Sequence, residues 1–169
     1  MKIFKLLVII IVLIVSVSCQ KIETLPPRPR IEFRSFEIFD TTDILGNNAK
    51  GGRLKFYFED GDGNVGLAEP DGIRSDSSNL FLTLYRKQNG EMVLAPPNDP
   101  LRPSSYRIPF MFRLGQNKIL KGTISVTLFY LFYSPVDTIK YDFHIKDRAE
   151  NISNIESTTE IIISENKIY

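Results

Sequence analysis

Apolar and polar residues alternate with a period of two along most of the chain. The clearest case is residues 139–146, where Ile139, Tyr141, Phe143 and Ile145 are apolar and the residues between them are polar or charged. Successive side chains of a strand point to opposite faces, so this pattern predicts a strand with one buried face and one solvent-exposed face. No stretch after the N-terminal apolar run keeps a helical period for three turns.

Other segments carry a related strand pattern: 31–39, 54–58, 80–85, 91–94, 107–112, 124–133 and 161–163. Asn89-Gly90 lies between two of them and predicts a hairpin, because both central positions of a type I′ turn need positive φ. Pro109 places its own segment at an edge or a bulge. Seven or eight strands, separated by turn residues at intervals of about ten, predict an all-β, antiparallel β-sandwich.

The first 18 residues have the pattern of a secretory signal peptide. Two lysines precede an apolar run, residues 6–17, in which Ser16 is the only polar residue. The run is shorter than the ~20 apolar residues that a membrane-spanning helix needs. A positive start, a short apolar centre and small residues at the end define a signal peptide. We therefore predict that residues 1–18 form a signal helix that is removed.

Cys19, the only cysteine, follows this segment directly. Residues 15–19, Val-Ser-Val-Ser-Cys, resemble the lipobox of bacterial lipoproteins, with Ser16 in place of the usual leucine. The resemblance implies cleavage before Cys19 and lipid attachment to its sulfur, which removes the only free thiol of an exported domain. The acyl chains, at about 0.8 kcal/mol per buried CH₂, would anchor the protein firmly. The alternative is a buried cysteine in an ordinary N-terminal helix.

Residues 19–30 are predicted to form a tether between the lipid and the domain of residues 31–169. Three prolines in four positions, 26–29, favour an extended polyproline II spacer. Gln20 stands where an aspartate would retain a Gram-negative lipoprotein at the inner membrane. The lipoprotein resemblance therefore implies the outer membrane, with the domain on either the periplasmic face or the cell surface.

Composition argues against several functions. Without Lys2 and Lys5, 19 basic residues stand against 20 acidic ones, and no basic run that would attract nucleic acid is present. His144 is the only histidine, and it shares the polar face of its strand with charged neighbours. The sequence has no Gly-x-Ser-x-Gly elbow, no His-x-x-x-His pair and no Walker loop. These observations predict a protein that is not an enzyme and has no catalytic residues.

An acidic turn follows the second predicted strand. Asp60, Asp62 and Asn64 alternate, so their oxygens can converge on a hard cation such as Ca²⁺, which takes 6–8 oxygen ligands. Neither frame of the EF-hand motif fits the segment. A looser calcium loop that adds Glu69 or Asp71 is one interpretation. A plain turn, in which Asp and Gly supply turn geometry, is the other.

Residues 129–133 are rich in aromatic side chains. In a strand, Tyr130 and Phe132 would share one face, and the other three residues would share the opposite face. If both faces are covered, this is a central strand of the sandwich. If one is open, its rings form a platform for a sugar or a partner protein. Tyr130 and Phe132 are therefore the candidate binding surface.

Two segments carry a resemblance to known proteins. Residues 58–67, Phe-Glu-Asp-Gly-Asp-Gly-Asn-Val-Gly-Leu, look like a signature of uncharacterised Bacteroidetes-type lipoproteins, in which a strand ends in an Asp-Gly-Asp-Gly turn. Residues 145–154 are similar to the D-x-A-x-N-x-S segment of bacterial immunoglobulin-like and fibronectin-III-like domains. The resemblance implies an immunoglobulin-like sandwich and a cell-envelope location, and it implies no activity.

Taken together, these features predict a lipid-anchored cell-envelope binding or scaffold module that Ca²⁺ stabilises. Its partners would be the membrane, through the lipid, and a protein or a glycan. One alternative is an anchored glycan-acting hydrolase, which needs two carboxylates about 5–9.5 Å apart in a cleft. Another is a structural subunit of an outer-membrane assembly, which a broad exposed apolar patch would favour.

Overall fold

The computed structural model describes residues 24–69, 78–103, 105–112 and 117–169. The predicted signal peptide, Cys19 and Asp71 lie outside these residues. The described strands are β1 (Arg30–Thr42), β2 (Asn48–Asp60), β3 (Leu80–Gln88), β4 (Glu91–Leu94), β5 (Leu120–Tyr130), β6 (Thr138–Ile145), β7 (Glu156–Ser157) and β8 (Ile161–Ile162). In this part of the chain no helix has the length and apolarity that crossing a membrane requires.

The strands form two antiparallel sheets. One sheet has the order β1-β2-β5, and the other has the order β4-β3-β6-β7, with β8 also pairing with β6. Every strand pair is antiparallel. The sheets pack against each other around a shared core, so the predicted all-β sandwich is confirmed.

The core forms because alternate residues of the facing strands turn inward. In β6, Ile139, Tyr141, Phe143 and Ile145 are all fully buried, as their alternation predicts. The ring centroid of Phe143 lies 5.3 Å from that of Phe56 on β2, in the opposite sheet. Burial of one large apolar side chain stabilises a fold by roughly 1.5–3 kcal/mol, so this interior holds the two sheets together.

Of two local predictions, a hairpin is confirmed and a strand is wrong. The hairpin at Asn89-Gly90 is present between β3 and β4, with φ values of 53° and 89°. The predicted strand at 107–112 is wrong: its residues are not in a described strand, and Pro109 makes only an isolated bridge to Leu67. Proline has no N–H to donate to a strand ladder, which accounts for this outcome.

The β2 register defines two opposite ends of the three-stranded sheet. Asp60 pairs with Leu120 at one end, and Lys50 pairs with Tyr130 at the other. The start of β1 lies at the Asp60 end, because Arg30 pairs with Glu59. We call the Asp60 end the base of the sandwich, since the tether joins it there. The Tyr130 end is called the tip.

Candidate metal centre

The turn after β2 holds one carboxylate in a closed loop. Asp60 is only 1% exposed, and its Oδ2 accepts the backbone N–H groups of Asn64 (2.7 Å) and Val65 (2.9 Å). Gly63 closes the turn with a φ of 68°, a conformation that favours glycine. A Cβ atom at this position would stand 2.0 Å from the carbonyl oxygen of Lys118. The turn is therefore tightly fitted around the Asp60 side chain.

Three side-chain oxygens of this turn are buried and receive no hydrogen bond from the protein. They are Oδ1 of Asp60, Oδ1 of Asp62 and Oδ1 of Asn64. The nearby donors serve other atoms: Asn64 Nδ2, for example, donates to Asp62 Oδ2 at 2.8 Å. A buried polar group without a partner costs about 1–3 kcal/mol, and more when it is charged. Such a set of oxygens is what a cation site requires.

A third carboxylate reaches the same place from the opposite sheet. Asp147 follows β6 closely in the chain and is 1% exposed. One oxygen each from Asp60, Asp62 and Asp147 lie within 4.8 Å of one another. Asp147 is held in place by the backbone N–H groups of Ala149 and Asn151, which donate to its Oδ1 at 2.8 Å each. The centre therefore bridges the ends of β2 and β6.

Arg148 links the same two loops through backbone contacts. Its N–H donates to the carbonyl oxygen of Asn64 at 3.3 Å, and its guanidinium donates to that of Gly66 at 2.8 Å. The Asp60 turn and the Asp147 loop are thus held side by side by groups other than the carboxylates. This arrangement keeps the three acidic side chains together despite their like charges.

Burial dominates the electrostatics of the centre. Burial of the Asp60 carboxyl group, together with the neighbouring charge of Asp62, raises the pKa of Asp60 to about 6. The hydrogen bonds from Val65 and Asn64 act in the opposite direction. The ionised form of Asp60 is therefore under-stabilised by the protein alone. A divalent cation would supply the missing positive charge.

The geometry and the donor atoms suit Ca²⁺. Two oxygens bound to one Ca²⁺ ion at about 2.4 Å each lie no more than about 4.8 Å apart, and the three carboxylate oxygens keep within that limit. With Oδ1 of Asn64, the group supplies four oxygen donors toward the 6–8 that Ca²⁺ takes, and carbonyl groups or water can supply the rest. A site made only of oxygens favours Ca²⁺ or Mg²⁺ over softer metals.

Of the predicted ligands that the structure describes, three lie at the metal centre and one does not. It brings Asp60, Asp62 and Asn64 together, and it adds Asp147, which the sequence analysis missed. Glu69 lies apart: its side chain is 91% exposed and pairs with Arg107 at 3.3 Å. Its inclusion among the ligands is therefore corrected.

The predicted aromatic surface is also corrected in part. Tyr130 is only 2% exposed, and its hydroxyl lies 3.1 Å from that of Tyr141 inside the core. Phe132 is 74% exposed, because β5 ends at Tyr130 and strict alternation ends with it. The tip instead exposes a mixed apolar set: Ile44, Leu45, Phe129, Leu131, Phe132 and Val136.

No family model, no curated protein and no solved structure matches this chain. The resemblance to Bacteroidetes-type lipoproteins therefore stays an expectation that two short segments and the lipobox carry. A proposal about function has to rest on the metal centre, the tether and the exposed tip.

Proposed function

We propose that this chain is a lipid-anchored binding or scaffold module of the bacterial cell envelope, and that Ca²⁺ stabilises its sandwich at the base. One observation carries the proposal: Asp60, Asp62 and Asn64 present three buried oxygens without hydrogen bonds in one turn, and the carboxylate of Asp147 lies beside the two aspartates. Without a cation, these buried oxygens would lack any partner and would destabilise the fold. A bound cation would pair with them and connect the two sheets.

The anchor rests on the N-terminal segment. A signal-like run ends at Cys19, the only cysteine, and proline-rich residues separate it from β1. Calcium sites with dissociation constants of about 10⁻⁴–10⁻³ M serve extracellular modules. An exported location and a stabilising calcium ion therefore fit each other.

The apolar tip supports a binding or scaffold role. Phe129, Phe132 and Val136 expose large apolar side chains on or just after β5, and Ile44 and Leu45 do so at the β1–β2 turn. Exposed apolar side chains gathered at one end are typical of surfaces that contact another molecule. The partner would be a protein or a glycan. The same tip favours a second candidate function, a structural subunit of an outer-membrane assembly.

A hydrolase is less compatible with the metal centre. Asp60 and Asp147 are each only 1% exposed, so a glycosidic bond could not reach both carboxyl groups. A glycosidase needs its two carboxyl groups on either side of an accessible substrate. We therefore propose a protein without a catalytic centre.

Thermal unfolding tests the calcium site directly. In a chain that begins at Gln20, which keeps every described residue, millimolar Ca²⁺ should raise the melting temperature above the value in EDTA. At a hundredfold excess over Kd the gain is about 2.7 kcal/mol, or roughly 5–10 °C for a domain of this size. Mg²⁺ should raise it less, because it demands near-ideal octahedral geometry. An unchanged melting temperature at 10 mM Ca²⁺, which is about tenfold above the dissociation constant of the weakest extracellular sites, would contradict the proposal.

Replacement of Cys19 tests the anchor. The wild-type chain, expressed in a bacterium that processes lipoproteins, should incorporate labelled palmitate and sediment with the membranes. Cys19→Ser should lose the label completely, because no other thiol is available in the sequence. Ser18→Ala is the matched control, since it keeps a small residue beside the cysteine, and it should retain the label. Equal labelling of wild type and Cys19→Ser would show that lipid is not attached at this residue.

A further inference from the structure

The described part of the tether, residues 24–30, lies directly on the Asp60 turn. The N–H of Gly61 donates to the carbonyl oxygen of Pro26 at 3.1 Å. A Cβ atom at Gly61 would stand 2.2 Å from the carbonyl oxygen of Leu25, so only glycine allows the tether backbone this close. Pro29, further along the tether, is buried. The described part of the tether is therefore docked on the domain, whereas the sequence analysis predicts only that it forms an extended spacer.

The same tether also holds the loop that carries Asp147. The guanidinium of Arg28 donates to the carbonyl oxygens of Ile152 (2.5 Å) and Ser153 (3.3 Å). At the start of β1, Ile31 exchanges two hydrogen bonds with the side chain of Asn154, at 2.8 and 2.9 Å. Residues 24–31 thus contact both loops of the metal centre, one from each sheet.

Docking of the tether depends on the spacing between these loops. Asp60 and Asp62 belong to one loop and Asp147 to the other, and like charges within 4.8 Å repel each other when no cation lies among them. The Arg148 contacts already hold the two loops side by side, and a bound Ca²⁺ would turn the remaining repulsion into attraction and narrow the range of their separations. Pro26 contacts the Asp60 turn and Arg28, two residues later, contacts the Asp147 loop. A fixed separation between the two loops therefore favours both contacts at once.

We propose that Ca²⁺ at the metal centre locks the tether onto the base of the sandwich, and so sets the orientation of the domain on its lipid anchor. This inference rests on the proposed function for both the calcium ion and the lipid at Cys19. Five residues lie between Cys19 and Leu25, and the six steps along the chain can span at most about 22 Å. With the tether docked, the base stays within that distance of the membrane and the apolar tip points away from it. With the tether released, the domain turns freely.

Thermodynamic linkage supplies the test. If Ca²⁺ strengthens docking by some factor, docking strengthens Ca²⁺ binding by the same factor. The full chain carrying Cys19→Ser, in detergent micelles, is titrated with Ca²⁺ by calorimetry, alone and with Arg28→Ala. Loss of the Arg28 contacts should weaken Ca²⁺ binding about fivefold, within the usual range of coupling between sites.

Arg30→Ala is the matched control. Arg30 is two residues away, is largely exposed and pairs with Glu59 at 3.4 Å, without a described contact to the Asp147 loop. Both variants remove one positive charge near the acidic centre, so the long-range electrostatic effect on Ca²⁺ binding is similar. Arg30→Ala should change the dissociation constant less than twofold.

A fluorophore on the tether gives an independent readout. With Cys19→Ser, a Thr24→Cys substitution provides the only thiol, and the anisotropy of a dye attached there should rise when EDTA is replaced by Ca²⁺. In Arg28→Ala this rise should be largely lost. Bound Ca²⁺ with unchanged anisotropy, and equal affinities of Arg28→Ala and Arg30→Ala, would overturn the coupling and leave the calcium site intact. Absence of Ca²⁺ binding in every variant would instead overturn the calcium site and the coupling together.

Discussion

Replacement of both Asp60 and Asp62 by asparagine should abolish the stabilisation by calcium while preserving the fold. At calcium a thousandfold above Kd, the wild-type chain gains about 4 kcal/mol, and the double variant should gain none. In EDTA the variant should melt no lower than the wild type, because the substitution removes two like charges. An asparagine Oδ1 can still accept the N–H groups of Asn64 and Val65 that Asp60 Oδ2 now accepts.

Glu69→Gln is the control for this pair. It removes an acidic charge from the segment that follows the same turn, but the Glu69 carboxylate is exposed and pairs with Arg107. Unfolding of all three chains, measured in EDTA and in Ca²⁺, should give an intact calcium response for Glu69→Gln. A calcium response that survives in the double variant would place the ion elsewhere.

Phe56→Ala should lower the free energy of unfolding by about 4 kcal/mol, because it removes a ring from the centre of the core. Phe56 is fully buried on β2, and its ring packs against that of Phe143 in the other sheet. The surrounding strands cannot close over the lost volume without distorting both sheets. Urea unfolding in EDTA separates this effect from any contribution of calcium.

Phe129→Ala is the matched control for the core substitution. Phe129 lies on the outer face of β5 and is 62% exposed, so its truncation should change the free energy of unfolding by less than about 0.5 kcal/mol. Comparable losses in the two variants would contradict the assignment of Phe56 to the core and Phe129 to the surface. If the tip binds a partner, Phe129→Ala should weaken that binding while the domain stays stable.

The strands could be predicted because burial on one face imposes a period of two, which β6 shows most clearly. The Asn89-Gly90 turn was predictable from its local need for positive φ. The apolar run 161–163 predicted β8, whereas β7 has two residues, too few for a period to be visible. The segment around Pro109 gave the opposite error, a predicted strand that is not formed. Its neighbours have a strand-like pattern, but the proline cannot donate a hydrogen bond to a strand ladder.

The candidate site was predictable only where its residues are neighbours in sequence. Asp60, Asp62 and Asn64 lie within one turn, and their spacing alone indicates convergence. Asp147 is far along the chain, and its place in the group depends on how the ends of β2 and β6 meet across the sandwich. Residues 145–154, which contain Asp147, resemble a segment of immunoglobulin-like domains. That resemblance does not show which loop Asp147 faces.

Tyr130 shows a further limit of the sequence pattern. Its aromatic neighbours predict a continuous strand, with Tyr130 and Phe132 on the same face. The end of β5 at Tyr130 separates them, one into the core and one into the exposed tip. The last β5 pair described is Lys50 with Tyr130, although β2 continues to Asn48 and pairs there with β1 alone. That information is not contained in the residues of β5 themselves.

The central claim is that one calcium ion is shared by the two sheets, and a calorimetric calcium titration of Asp147→Asn tests it most directly. The control is Asp142→Asn, which removes an acidic residue of β6 that bonds to Ser157 and stands near Lys140. We predict one ion per chain in wild type and in Asp142→Asn, and binding at least tenfold weaker in Asp147→Asn. Wild-type affinity in Asp147→Asn, or no binding by the wild-type chain, would contradict the shared centre.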